Sequence, residues 1–224
     1  MPVTVWGGSG VTVVKPGDDV YDVLQRVSSS KIRPVTLILS PGVHYTTRPL
    51  VLENYINLIG WNAALVPEFS SDDYILRVKT PCKVKGITFD LGYKCQGVAV
   101  HSTQDVEISE VTVKEWKAHV GLSVINSTNV VVRDSNAHSG WGDDAFSVEE
   151  STPGNVSSFV WFINCKAWDN YQNPSGTMNG FEVEDGCHHV WFVNCQCWNC
   201  QAKAGFEVHS HSGLQSCHDV HFIN

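Results

Sequence analysis

Four glutamates and one histidine near the C-terminal end of this 224-residue chain share a spacing suited to proton chemistry. The phrase Gly-Phe-Glu-Val occurs at 180–183 and again at 205–208, with weaker copies at 97–100, 121–124 and 145–148. In an extended strand, successive side chains leave opposite faces. With Val98/Val100, Leu122/Val124, Phe146/Val148, Phe181/Val183 and Phe206/Val208 inward, one outward column reads Ala99, Ser123, Ser147, Glu182, Glu207. The next outward column reads His101, Ile125, Glu149, Glu184, His209. Stacked as parallel strands about 4.8 Å apart, Glu149, Glu182, Glu184 and Glu207 make a compact carboxylate patch with His209 at its edge. Asp143 and Asp144 precede one strand, and Glu150 and Asp185 flank the turns. Like charges this close resist simultaneous ionisation, so a carboxyl keeps its proton or a cation binds. A retained proton beside an ionised carboxylate is the acid/base pair of glycoside hydrolysis, with Glu182, Glu207, Glu149, Glu184, Asp144 and His209 as candidates. A cation would be Ca²⁺, for which Glu184 and Asp185 are candidate ligands. The plainer alternative is a solvated acidic sheet face, although unneutralised stacked glutamates oppose the fold.

The element that positions this patch is a repeat. Each copy is followed by a second apolar run, and both columns recur every 24 to 35 residues. The runs alternate apolar and polar residues over four to six positions and are broken by Asn, Gly, Ser and Asp, which is strand periodicity. Short strands at such a period predict a parallel β-solenoid, each turn burying its apolar side chains against its neighbours. Aligning Cys82, Val106, Val130, Val160, Val190 and Val220 puts Gly86, Glu110, Asp134, Asn164, Asn194 and Asn224 in one column. That column suits a bend with an unusual backbone angle, and stacked Asn amides can bond along the axis. Ile87, Val111, Ser135, Cys165 and Cys195 then fall inward, as do Phe89, Val113, Ala137, Ala167 and Cys197. Upstream, Val20, Val23, Leu24 and Val27 have helical spacing, with Asp18 or Asp19 as N-cap. The expected whole is one all-β domain over 1–224, with a cap and first turns over about 1–70 and regular turns over 71–224. The text stops mid-turn, so the expectation is a longer chain or a partner subunit over this end.

Trp168 and Trp198 share an outward column below His138 and Lys114, and Trp161 and Trp191 share another followed by His221. Stacked outward indoles can hold sugar rings through their apolar faces. Trp168, Trp198, His138, Asp143 and Lys203 are therefore candidate substrate contacts, and the Trp161/Trp191 face is a candidate subunit interface. Among the cysteines, Cys165, Cys195 and Cys197 fall in core columns. Cys187-His188 align over Cys217-His218, which allows a Cys₂His₂ zinc set, a disulfide or merely stacked turn residues.

The net charge is −8, and from Asp134 onward eleven acidic residues face only Lys166 and Lys203. Nucleic acid is not expected as a partner, since phosphate binding needs Lys and Arg. No apolar stretch is long enough to span a bilayer, so no membrane partner is expected.

The 16–19 Pro-Gly-Asp-Asp lead-in, the helix pattern, and the runs 35–39, 41–45 and 55–60 resemble the N-terminal cap and first turns of the pectin-lyase-like superfamily. That resemblance implies a right-handed parallel β-helix and export to the cell surface or medium. The segment 142–148, with Asp143 and Asp144, resembles the Asp-Asp motif of polygalacturonase-type glycosidases, whose Asn-Thr-Asp and Arg-Ile-Lys markers are absent here. The segment 179–183, preceded by the 165–170 Cys-x-Ala-Trp-Asp-Asn, is similar to β-helix polysaccharide lyases that bind Ca²⁺, which place a Lys base where this chain has Glu182. In a lyase the base would be His209 or Lys203. The expected activity is cleavage of a polysaccharide by hydrolysis or Ca²⁺-assisted elimination. The rivals are a non-catalytic glycan-binding, adhesin or viral spike module and a purely structural oligomer.

Overall fold

Strand follows strand at solenoid spacing, and nearly all of them pair in parallel. The computed structural model describes residues 5–6, 10–28, 34–172, 178–200, 204–211 and 214–224, with the backbone alone for 5–6 and 172. Among the described residues the strands form a 15-stranded and an 8-stranded sheet. Among the described residues only the first pair, Val5–Trp6 with Val11–Val14, is antiparallel. From Val11–Val14 on, each strand lies beside its counterpart one turn later, as Val35–Leu39 does beside Ile56–Pro67.

The aligned columns are the observed register. Val106 pairs with Cys82 and Val130, Val160 with Val130 and Val190, and Val190 with Val220. The predicted bend column carries positive φ at Gly86, Glu110, Asp134, Asn164 and Asn194. Its amides bond along the axis: Asn194 Nδ2 donates to Asn164 Oδ1 at 2.8 Å, and Asn164 Nδ2 to Asp134 Oδ1 at 3.0 Å. The backbone amides of the bend bond along the axis as well, Asp134 to the Ile163 carbonyl at 2.8 Å and Asn164 to that of Val193 at 2.9 Å.

One continuous core runs from Val14 to Cys195. Its centre holds two aromatic stacks, Phe146–Phe181–Phe206 and Phe162–Phe192–Phe222, with ring centroids 4.8–5.2 Å apart. They meet edge to face, for example Phe181 on Phe192 at 5.5 Å. The helix Val20–Ser28 lays Val20, Val23, Leu24 and Val27 on the N-terminal end of this core. Asp19 is its N-cap, accepting from the Tyr21 amide at 2.9 Å. In the last turn Val208, Phe222 and Ile223 are exposed. Among the described residues no helix is long and apolar enough to cross a membrane.

All eight cysteines are free thiols. Cys165 and Cys195 are in the core as expected, whereas Cys197 is half-buried and its Sγ lies 2.7 Å from that of Cys200. The Cys187/His188/Cys217/His218 zinc set does not assemble. Cys187 is fully buried with Cys217 packed against the core, while His188 and His218 stack at the surface with centroids 4.7 Å apart. Adjacent residues of a strand face opposite sides, so the thiols and imidazoles that share a sequence step are separated by the strand itself. The Cys187–Cys217 disulfide is likewise not formed.

A candidate active site of hydrogen-bonded carboxyls

The strands Trp141–Glu149, Asn179–Glu184 and Ala204–His209 lie side by side in the second sheet. Ser147 pairs with Glu182, Glu182 with Glu207, and Glu184 with His209, so the predicted outward columns are adjacent in space. Gly142 makes the entry to the first of these strands possible. A Cβ there would come within 1.9 Å of the Ala118 carbonyl oxygen, and Ala118 itself has φ 72°. This close approach sets Asp143 and Asp144 beside the carboxylate column.

The outward face is not the solvated surface that strand alternation predicts. Ala99, Ser123 and Ser147 are fully buried, and Glu182 and Asp144 are each 3 % exposed. Tyr74, from an upstream strand, folds over this face against Ala99 and Ile125, and the Ser123 hydroxyl donates to its phenol oxygen at 3.2 Å.

Burial has its expected electrostatic result. Desolvation pushes the Glu182 carboxyl up to about 9, helped by its hydrogen bond with Asp144. Desolvation, then the hydrogen bond with Glu182, takes Glu184 to about 8. Desolvation takes Asp144 and Glu149 to about 7. Oxygens of Asp144, Glu182 and Glu184 converge within 4.8 Å, close enough for protons to be shared along a chain of carboxyls. The surroundings fix its geometry. Asn179 Nδ2 donates to Glu182 Oε1 at 2.9 Å, and the Asn179 amide donates to Asp144 Oδ1 at 3.0 Å. His209 Nδ1 lies 3.1 Å from Glu182 Oε1 and 3.9 Å from Glu207 Oε1. The Ser147 hydroxyl donates to Glu149.

Asp143 joins the rim through His119, Nδ1 to Oδ2 at 3.3 Å, and this bond raises the imidazole's affinity for its proton. Asp185 accepts from the His211 amide at 2.7 Å and pairs with its ring at 2.9 Å, with the same effect. The structure therefore brings together Glu149, Glu182, Glu184, Glu207, Asp144 and His209, with Asp143 and Asp185 beside them. Trp168 and Trp198 form a separate ladder, indoles parallel at 5.2 Å, with His138 stacked on Trp168 at 4.4 Å. Trp161, Trp191 and His221 form another. Lys203 lies outside the described residues.

Sequence reasoning missed His119, Asn179, His211 and Trp141. The register could have found the first two, because Asn179 pairs with Asp144, and His119 lies between Ala118 and Val120, which pair with Gly142 and Asp144. Trp141 opens the strand of Asp143 and Asp144, pairs with Tyr171, and both rings are exposed at 47 % and 42 %. Oxygens of Asp144, Glu182 and Glu184 converge within 4.8 Å, a donor set that fits a hard cation in kind. Two of those residues already accept protein hydrogen bonds, and the chain is held by protons, so the cation would have to displace them.

No curated protein sequence matches the chain. Among solved structures it is similar to Geobacillus virus E2 ORF18 (TM-score 0.64, 10 % identity, covering 87 % of this chain and 47 % of that one). It is also similar to the A-module of Azotobacter vinelandii mannuronan C-5 epimerase AlgE4 (0.62, 16 %, covering 89 % and 57 %). A third likeness is to pectin methylesterase from Aspergillus niger (0.63, 12 %, covering 99 % and 87 %). The chain spans about half the length of the first two, and identities this low speak for the fold alone. The model of the right-handed β-helix region matches residues 96–223, more than half of the chain and the whole of the carboxylate site, so the chain belongs to the right-handed β-helix family.

Proposed function

We propose that this chain cleaves glycosidic bonds of a polysaccharide by general acid catalysis. The observation that carries the reading is the hydrogen-bonded chain Asp144–Glu182–Glu184, three carboxyls that hold protons near neutral pH and end at a half-buried Glu184. A proton-retaining carboxyl is what a leaving glycosidic oxygen needs. Glu184 delivers the proton, and Glu182 resupplies it from behind. His209, held between Glu182 and Glu207, is placed to take a proton from the attacking water. Trp141 and Tyr171, exposed on the strands beside Asp143, offer faces on which a sugar ring can lie, with Trp168 and Trp198 as a further platform. A polysaccharide substrate puts the working protein at the cell surface or in the medium.

The convergence of Asp144, Glu182 and Glu184 oxygens supports a second reading, elimination on a uronic polysaccharide. A Ca²⁺ ion held by these residues would acidify the proton next to the uronate carboxyl. His209 would then be the base that removes it.

The test is incubation with a panel of neutral and uronic polysaccharides, with and without Ca²⁺ chelation. The expected result is new reducing ends without unsaturated-product absorbance, insensitive to chelation and reduced about a hundredfold or more in Glu182→Gln. Reducing ends with that absorbance, lost on chelation, would favour the lyase. Binding without turnover, unchanged in Glu182→Gln, would leave a glycan-binding module and overturn both enzymatic readings.

A further inference from the structure

A second cluster of ligating side chains lies past the turn that follows the carboxylate strand. The strands His188–Val193 and His218–Ile223 are neighbours, with His188 in register with His218. Their rings stack with centroids 4.7 Å apart. His189 has φ 54°, in the left-handed region, and at this bend its ring meets that of His188, Nδ1 to Nδ1 at 2.6 Å. One turn later Asp219 takes the same backbone conformation, φ 51°. Its Oδ2 lies 3.7 Å from His189 Nε2 and 4.0 Å from His218 Nε2. One ligating nitrogen from each of His188, His189 and His218 lies within 4.8 Å of the others. Phe159, from the preceding turn, stacks on His189 at 4.7 Å and holds its ring in place.

The fold itself does not ask for histidine here. Asp105, Asn129 and Phe159 occupy the His189 column on earlier turns with φ 54–56°, and Asn129 donates to Asp105 as a simple polar stack. Thr128 and Ser158 occupy the His188 column. Imidazoles replace these residues only where three of them can meet. Three neutral imidazoles, with water in the fourth position, are the donor set of a borderline divalent transition ion, with nitrogens at 2.0–2.1 Å in a tetrahedral shell. That shell needs nitrogens about 3.3 Å apart. The closest pair must open and the others close by amounts that side chains half in solvent can supply.

We propose that His188, His189 and His218 bind a transition-metal ion of the Zn²⁺ class, with Asp219 beside the set, and tie these two turns of the solenoid together. Such a site lies across a turn-to-turn interface, which is where a solenoid's stability resides. The probe is Zn²⁺ titrated calorimetrically into metal-stripped protein at neutral pH, with Co²⁺ as spectroscopic substitute. The expected result is one saturable equivalent and a Co²⁺ spectrum without thiolate charge transfer. His189→Ala or His218→Gln should weaken binding by no less than the about tenfold that loss of an outer-shell partner costs. Added Zn²⁺ should raise Tm in the parent chain and not in these variants. His218 is exposed, so its glutamine variant keeps the fold and the test stands even if His189→Ala does not fold. Glu182→Gln should bind Zn²⁺ as the parent does. No saturable binding, binding unchanged in the histidine variants, loss in Cys197→Ser, or loss in His209→Ala would each overturn the assignment.

Discussion

At the scale of single residues, the protons held by Glu182, Glu184, Asp144 and Glu149 link the site to stability. Their native affinities are raised from ordinary carboxyl values of 4.5 or 3.8 to about 9, 8, 7 and 7. The native state then binds more protons than the unfolded state between those limits, so stability falls as pH rises through this window. We expect Tm, measured by circular dichroism from pH 5 to pH 9, to decline with pH. Glu182→Gln should flatten the decline, because the amide keeps a donor without a titrating proton. A Tm that rises over this range would contradict the proton chain. Activity should fall on the alkaline side as Glu184 loses its proton.

At the scale of elements, the columns were legible because a strand of period 2 repeated at each turn gives the same inward and outward letters every time. Val106 over Val130 over Val160 could be aligned on paper and is so paired. What lies over an outward column could not be read that way. Tyr74 covers Ala99 and Ile125 from far upstream, and Glu182 further along the same column is buried and keeps its proton. The metal set built on Cys187 and Cys217 failed because parity across a turn was not fixed by the alignment. His119 escaped notice because it sits where the Ala118 bend interrupts the alternation. The same bend supports a prediction. Gly142→Ala forces a methyl to within 1.9 Å of the Ala118 carbonyl, so the two strands must part. This variant should lose activity through misplaced Asp143 and Asp144 and also lower Tm. Ala145→Gly, on the same strand but in the core, should lower Tm while leaving turnover per folded molecule unchanged.

At the scale of the whole molecule, stability is a sum over neighbouring turns. Phe181 lies between Phe146 and Phe206, with centroids at 4.9 and 4.8 Å, and touches Phe162 and Phe192 edge-on. Phe181→Ala should cost about 3–5 kcal/mol by urea unfolding, at the upper end if the rigid stacks cannot close the cavity. The indole ladders have an optical consequence. Trp161 and Trp191 are parallel at 4.9 Å, and His138 caps the Trp168–Trp198 pair. Neighbouring indoles share excitation, and an imidazole quenches an adjoining indole when it takes up a proton. Burial holds the His138 proton affinity below the ordinary histidine value, so its quenching step should fall on the acid side of that range. Intrinsic emission and its polarisation thus gauge, without a label, whether successive turns are still in line.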